Sequence, residues 1–137
     1  MAEARVADVY EAAADRMVEA AVGDPRVKAL WLEGAEPGEL RRPYRRLEVH
    51  LAADEPDFDA VLADLDRLVA GPSVFSVEGR AEVPRFAREV RGLLDGRPVT
   101  AVLEKTSLLA KRPRAAVKVL MDRTGHVYHV MDFSRRP

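Results

Sequence analysis

Residues 46 to 50, Arg-Leu-Glu-Val-His, set a guanidinium, a carboxylate and an imidazole at alternate positions of an otherwise apolar run. Side chains on a strand repeat every two residues, so Arg46, Glu48 and His50 share one face and Leu47, Val49 and Leu51 the other. A carboxylate and an imidazole side by side can ligate a transition metal, but two ligands do not make a site, and a partly exposed histidine is the simpler expectation for His50. Just upstream, Arg41, Arg42, Arg45 and Arg46 could grip a nucleotide's phosphates without metal, because guanidinium forks match phosphate oxygens. The alternative is a solvated basic loop paired with Glu36, Glu39 and Glu48.

The remaining candidates are weaker. Tyr44, inside the arginine loop, could stack on a ligand, whereas Trp31 on an apolar strand belongs to the core. Lys111-Arg112-Pro113-Arg114 lacks the basic stripe with interleaved aromatics of a nucleic-acid reader, so nucleic acid is not expected as a partner. His126 and His129 fall on opposite faces if their segment is a strand, and Asp132 is expected as a strand-end acid bonded to backbone. Ser73, Ser76, Ser107 and Ser134 sit in no nucleophile setting, and no phosphate-binding glycine loop ending in lysine occurs.

These residues need elements to position them. Val6, Val9, Tyr10, Ala13, Met17, Ala20 and Ala21 recur at helical spacing and predict a helix over 3–22, stopped by Gly23 and Asp24-Pro25. Strands are predicted at 27–32 and 47–52, with the arginine loop between them. Pro56 and the acids around it start a second helix that ends at Gly71-Pro72. "SVFSVEG" reads as a short strand, "EVRGLLDGRPVTAVLE" as a hairpin turning at Asp95-Gly96, and "AAVKVLMDRTGHVYHVMDF" as another turning near Thr124-Gly125. Together they predict a single α+β domain over 1–137, a mixed sheet with helices packed on it.

Composition sets outer limits. Twenty-two Lys and Arg nearly balance twenty-three Asp and Glu, so whole-molecule charge gives no basis for polyanion binding. Without cysteine there can be no disulfide, thiolate zinc site or cysteine nucleophile. Met1-Ala-Glu-Ala-Arg has no secretion-signal pattern and no window approaches eighteen apolar residues, so a cytoplasmic protein without membrane association is expected.

The ordered blocks "DPRVKALWLEGA", "RRPYRRLEVHLAAD", "FDAVLADLDRL", "LLDGRPVTAVLE" and "VKVLMDRTG" resemble the N-terminal domain of the aminoglycoside (streptomycin-type) adenylyltransferases, within the DNA polymerase beta-like nucleotidyltransferase superfamily. The resemblance implies a nucleotidyltransferase-like sheet and a site built from Gly-Ser on a turn, Asp-x-Asp on the next strand and one further Asp on a later strand. Three such carboxylates gather two divalent ions, which activate the attacking hydroxyl and neutralise charge at the transferred phosphorus. The family's C-terminal helical domain has no counterpart within these residues.

Matched position by position, the chemistry is depleted. Gly34 keeps the glycine, and Ala35 replaces the serine that would bond nucleotide phosphate. Arg46 and Glu48 stand at the two aspartates of the pair, and Thr100 at the third. A cation about 4 Å from a metal charge costs roughly 4 kcal/mol per unit charge at an effective dielectric near 20. Glu48 alone would hold an ion weakly. The expected protein is therefore a catalytically impaired nucleotidyltransferase fold that binds a nucleotide, through Gly34, Ala35, Arg42, Arg45 and Arg46, or a protein. No cofactor is expected, and Mg2+ only if activity survives. Two alternatives stand beside it: a working nucleotidyltransferase that recruits Glu48 with an acid such as Glu104 or Asp132, and a structural protein whose apolar surface forms a homodimer or receives another chain.

Overall fold

The computed structural model describes residues 2–34, 37–42, 44, 46–70, 75–82, 87–94, 96–109, 117–125 and 127. Helix α1 (Ala2–Val22) buries Tyr10, Ala13, Ala14, Met17 and Ala21, the i, i+3, i+4 stripe expected of a helix laid on a core. Its end is closed by Gly23, whose N–H donates to Glu19 O at 3.0 Å, and by Arg123, whose guanidinium donates to the carbonyls of Ala21, Val22 and Val27. Carbonyls of a last helical turn have no partner within the helix, and Arg123 supplies one from the far end of the chain.

Strands β1 (Val27–Glu33) and β2 (Leu47–Ala53) pair antiparallel, with Trp31 opposite His50 and Leu32 opposite Val49. Between them lies a short 3-10 turn, Pro37–Leu40. The second helix is not continuous. A 3-10 turn at Glu55–Asp57 leads into α2 (Phe58–Ala63), and α3 (Leu65–Ala70) starts after a break at Asp64. The Asp64 side chain accepts from Arg26 at 2.9 Å and pairs with Arg67 at 3.2 Å. Short acidic side chains with partners off the helix axis favour helix ends over interiors, which explains the break that apolar periodicity did not foretell.

Strands β3 (Phe75–Glu82), β4 (Ala87–Leu94), β5 (Arg97–Lys105) and β6 (Val117–Asp122) complete a six-stranded sheet of order β3-β4-β5-β2-β1-β6. Only β2 and β5 run parallel; the other neighbours are antiparallel. The chain is thus α+β with a mixed sheet, as the element order predicted. Gly96 takes φ 79° at the β4–β5 turn, a conformation that costs glycine nothing. At the end of β6, Asp122 accepts from the N–H groups of Thr124, Gly125 and Val127 and from the Thr124 hydroxyl, organising the turn around Gly125. The expected returning arm, with His126, His129 and Asp132, lies outside the described residues.

The helices cover one face. Leu30, Leu32, Leu47, Val49, Leu51, Val90, Val99, Ala101 and Leu103 meet α1, Phe58, Val61, Leu65 and Val69 in the main core. A smaller apolar group, Ala29, Trp31, Ala52, Val117 and Val127, occupies the opposite face. That second face carries the polar residues of interest. No helix of the described residues is long and apolar enough to cross a membrane.

Candidate functional site: a histidine among three glutamates

Strand register explains how the site assembles. Glu48 of β2 stands beside Thr100 of β5, His50 beside Val102 and Ala52 beside Glu104, so the polar positions of two parallel strands run in phase. Across β1, Trp31 lies opposite His50, and continuing the register one step brings Glu33 alongside Glu48. Four residues therefore converge: Glu33, Glu48, His50 and Glu104, on three adjacent strands.

His50 is at the centre. Its Nε2 lies 2.8 Å from Glu48 Oε2, and its Nδ1 lies 2.7 Å from Glu104 Oε2 and 3.3 Å from Glu33 Oε2. The ring is stacked on Trp31 with centroids 5.5 Å apart and planes 21° from parallel. The Trp31 indole N–H donates to Glu33 Oε2 at 2.8 Å, so one buried side chain steers both the imidazole and a carboxylate. His50 is 6% exposed and Glu104 1%, which corrects the expectation of a partly exposed histidine. Burial alone would lower the His50 pKa. Hydrogen bonds to Glu104 and Glu48, with the field of Glu33, overcome it and raise the pKa to about 9, so the ring is an imidazolium at neutral pH.

Glu48 faces a second cation. Arg46 Nη2 is 3.6 Å from Glu48 Oε1, while Arg46 Nη1 is 3.6 Å from Glu39 Oε2. The expected pairing of the basic loop with Glu39 and Glu48 is realised at this arginine. Arg42 is drawn elsewhere: it pairs with Asp15 of α1 at 3.1 Å and lies over the Tyr44 ring. Tyr44 itself is 2% exposed, and its hydroxyl accepts from Lys118 at 2.8 Å. It is a core residue, not a stacking platform for a ligand, packed in the main apolar cluster with Arg42 and Lys118 over its ring. Gly34 follows β1 directly, while Ala35 and Arg45 lie outside the described residues.

The three positions that the resemblance assigns to metal-binding aspartates carry Arg46, Glu48 and Thr100. Glu48 and Thr100 are register partners, so these positions are neighbours, but only one bears a carboxylate. A pair of magnesium ions needs oxygen ligands and excess negative charge there; these residues do not fit it. The acids that do surround Glu48 sit elsewhere: Glu33 one residue before Gly34, and Glu104 four residues after Thr100. Glu104 shares its face with Thr100 by strand alternation, whereas Glu33 ends an apolar run that gives no sign of chemistry. No family model and no curated protein matches the chain.

Chemically, the cluster is a charge-dense, mostly buried set of side chains on the second face of the sheet. Glu33 and Glu48 retain some exposure, with side chains 19% and 28% accessible, so solvent reaches the cluster on their side. Glu89 on β4, opposite Val102, adds a further buried acid on this face and forms an ion pair with Arg91.

Proposed function

We propose that the chain is a nucleotidyltransferase-like domain that has exchanged metal-dependent transfer for binding, taking a nucleotide at its arginine loop without magnesium. One observation carries this proposal. Both oxygens of Glu48, the sole acid at the three family positions, face protein cations: Arg46 on Oε1 and the His50 imidazolium on Oε2. Arg46 and Thr100 supply no carboxylate at the other two family positions, so the oxygen-rich set that a pair of magnesium ions needs is missing. Arg41, Arg42 and Arg46 are exposed in the loop, where phosphate oxygens would compete with Asp15 for Arg42 and with Glu39 and Glu48 for Arg46.

Calorimetric titration of nucleoside triphosphates, with and without magnesium, tests it. Binding that needs no magnesium and weakens in Arg46→Ala is the expected result. Absence of any nucleotide binding would transfer the role to a protein partner. Magnesium-dependent nucleotidyl transfer, lost in Glu48→Gln, would overturn the proposal in favour of a working enzyme. In that case Glu104, held with Glu48 against the His50 imidazole, would be the substitute acid.

A further inference from the structure

We propose that Glu33, Glu48 and His50 form a site for one transition-metal ion of the zinc class, with Glu104 as the residue that positions the imidazole. The ligand atoms of these three side chains lie within 4.8 Å of one another. They arise from two adjacent strands of one sheet, a rigid platform that places ligands more accurately than a loop does.

Hydrogen-bond roles around His50 lead to the same residues. Glu104, almost completely buried, lies 2.7 Å from Nδ1 and, as the acceptor of an Nδ1 proton, would leave Nε2 as the ligand atom of the ring. Nε2 is left pointing at Glu48 Oε2 across 2.8 Å. Two lone-pair atoms cannot stand that close without a cation between them. At 2.8 Å that cation is a proton, held by the ring or by the Glu48 carboxyl, and a metal ion binding here would displace it. A carboxylate behind a histidine whose far nitrogen meets a metal is a recurrent arrangement, since it sets both ring orientation and ligand basicity.

Carboxylate oxygens of Glu33, Glu48 and Glu104 lie within 3.3 Å of the His50 ring nitrogens, so a divalent ion here would enter a strongly anionic neighbourhood. Arg46 does not substitute for it, being half exposed, 3.6 Å away on the other Glu48 oxygen and shared with Glu39. Trp31 adds preorganisation: it stacks on His50 and bonds Glu33, so two ligands are already held by one indole. Tetrahedral ligand atoms at zinc distances lie roughly 3.3 Å apart, so Glu48 need withdraw only about half an ångström. One nitrogen with two carboxylate oxygens suits zinc and its first-row neighbours over magnesium, which prefers oxygen donors and retains its water. Three protein ligands leave a coordination position on the accessible side of Glu33 and Glu48 for water or another small donor.

The test uses the whole chain, stripped with a chelator and titrated calorimetrically with zinc chloride and, separately, magnesium chloride, with no nucleotide present. The outcome is therefore independent of the proposed nucleotide site. One zinc per chain, released protons on binding and no comparable magnesium uptake are expected, together with the visible absorption of tetrahedral cobalt when cobalt is substituted. Glu33→Gln, near the accessible edge, should weaken zinc at least tenfold without loss of fold, and His50→Gln should abolish it, with circular dichroism confirming that each variant is folded. Glu104→Gln, which keeps an acceptor for Nδ1–H, should lose less affinity than Glu104→Ala and retain the cobalt spectrum. Failure of the native chain to take up zinc, equal uptake of magnesium, or zinc uptake unchanged in folded Glu33→Gln would each overturn the site.

Discussion

Leu103 and Glu104 are consecutive residues of β5, both essentially sealed from solvent, and they face opposite ways. Leu103 enters the main core beneath the helices, where any apolar side chain of similar volume finds comparable contacts. Glu104 enters the second face, where its fitness depends on one histidine nitrogen 2.7 Å away. The two faces of this sheet are thus stabilised by different physics. The helix-covered face relies on burial, which is tolerant; the opposite face combines a smaller apolar group with paired charges, whose fit is more demanding.

The largest effect should come from splitting the charged pair. Glu104→Ala leaves a buried imidazolium short of its closest acceptor, and removing one partner of a buried ion pair costs roughly 3–5 kcal/mol. Denaturant unfolding of the native and substituted chains measures it. Leu103→Ala removes buried methyl groups and leaves a cavity, at a cost of roughly 2–5 kcal/mol, and it should leave zinc affinity unchanged. Similar destabilisation, with zinc affinity lowered only in Glu104→Ala, would confirm that the faces are separable. If Leu103→Ala disturbed zinc binding as much as Glu104→Ala, that separation would fail.

A pH titration sharpens the same contrast. In the folded, metal-free protein the His50 pKa is raised from 6.5 to about 9, so protonation favours the folded state. Its contribution is fully present below about pH 6.5 and is lost as pH rises through about 9. At about 1.36 kcal/mol per unit, the full shift sets an upper bound of roughly 3 kcal/mol on that loss. Chemical denaturation in the presence of a chelator, from pH 6 to pH 10, should show stability falling over this window in the native chain and far less in His50→Gln. A parallel fall in both would assign the effect to other groups.

The apolar face was much the more legible of the two. Periodicity located α1, β1 and β2 to within a residue or two, and the Asp95-Gly96 turn marked the β4–β5 hairpin, because each signal is local. On the polar face, sequence alone put Glu48 and His50 together, and that held. It did not reveal Glu33, which ends an apolar run, nor that Glu104 would reach His50. That contact depends on parallel pairing of β2 with β5, two strands separated by α2, α3 and a hairpin. A strand's alternation tells which residues share a face but not what packs over that face. Hence alternation alone predicts a partly exposed His50, whereas the ring is almost fully enclosed.

Arg46 offers the smallest effect on stability and the finest test of the charged face. Its side chain is 51% exposed and its contacts to Glu39 and Glu48 are both 3.6 Å, so removing it should change stability by about 0–1 kcal/mol, the range of exposed ion pairs. Its electrostatic consequence reaches further. Arg46 competes for Glu48 through Oε1, and Arg46→Gln removes that cation while keeping a polar side chain in the loop. Zinc affinity should therefore rise a few-fold, more so at low ionic strength, where screening of an exposed charge is weakest. Nucleotide affinity should fall in the same variant, because the guanidinium is then missing from the phosphate-binding loop. Opposite changes from one near-neutral substitution would mark Arg46 as the boundary between two sites; a fall in both affinities would mean that zinc and nucleotide share one.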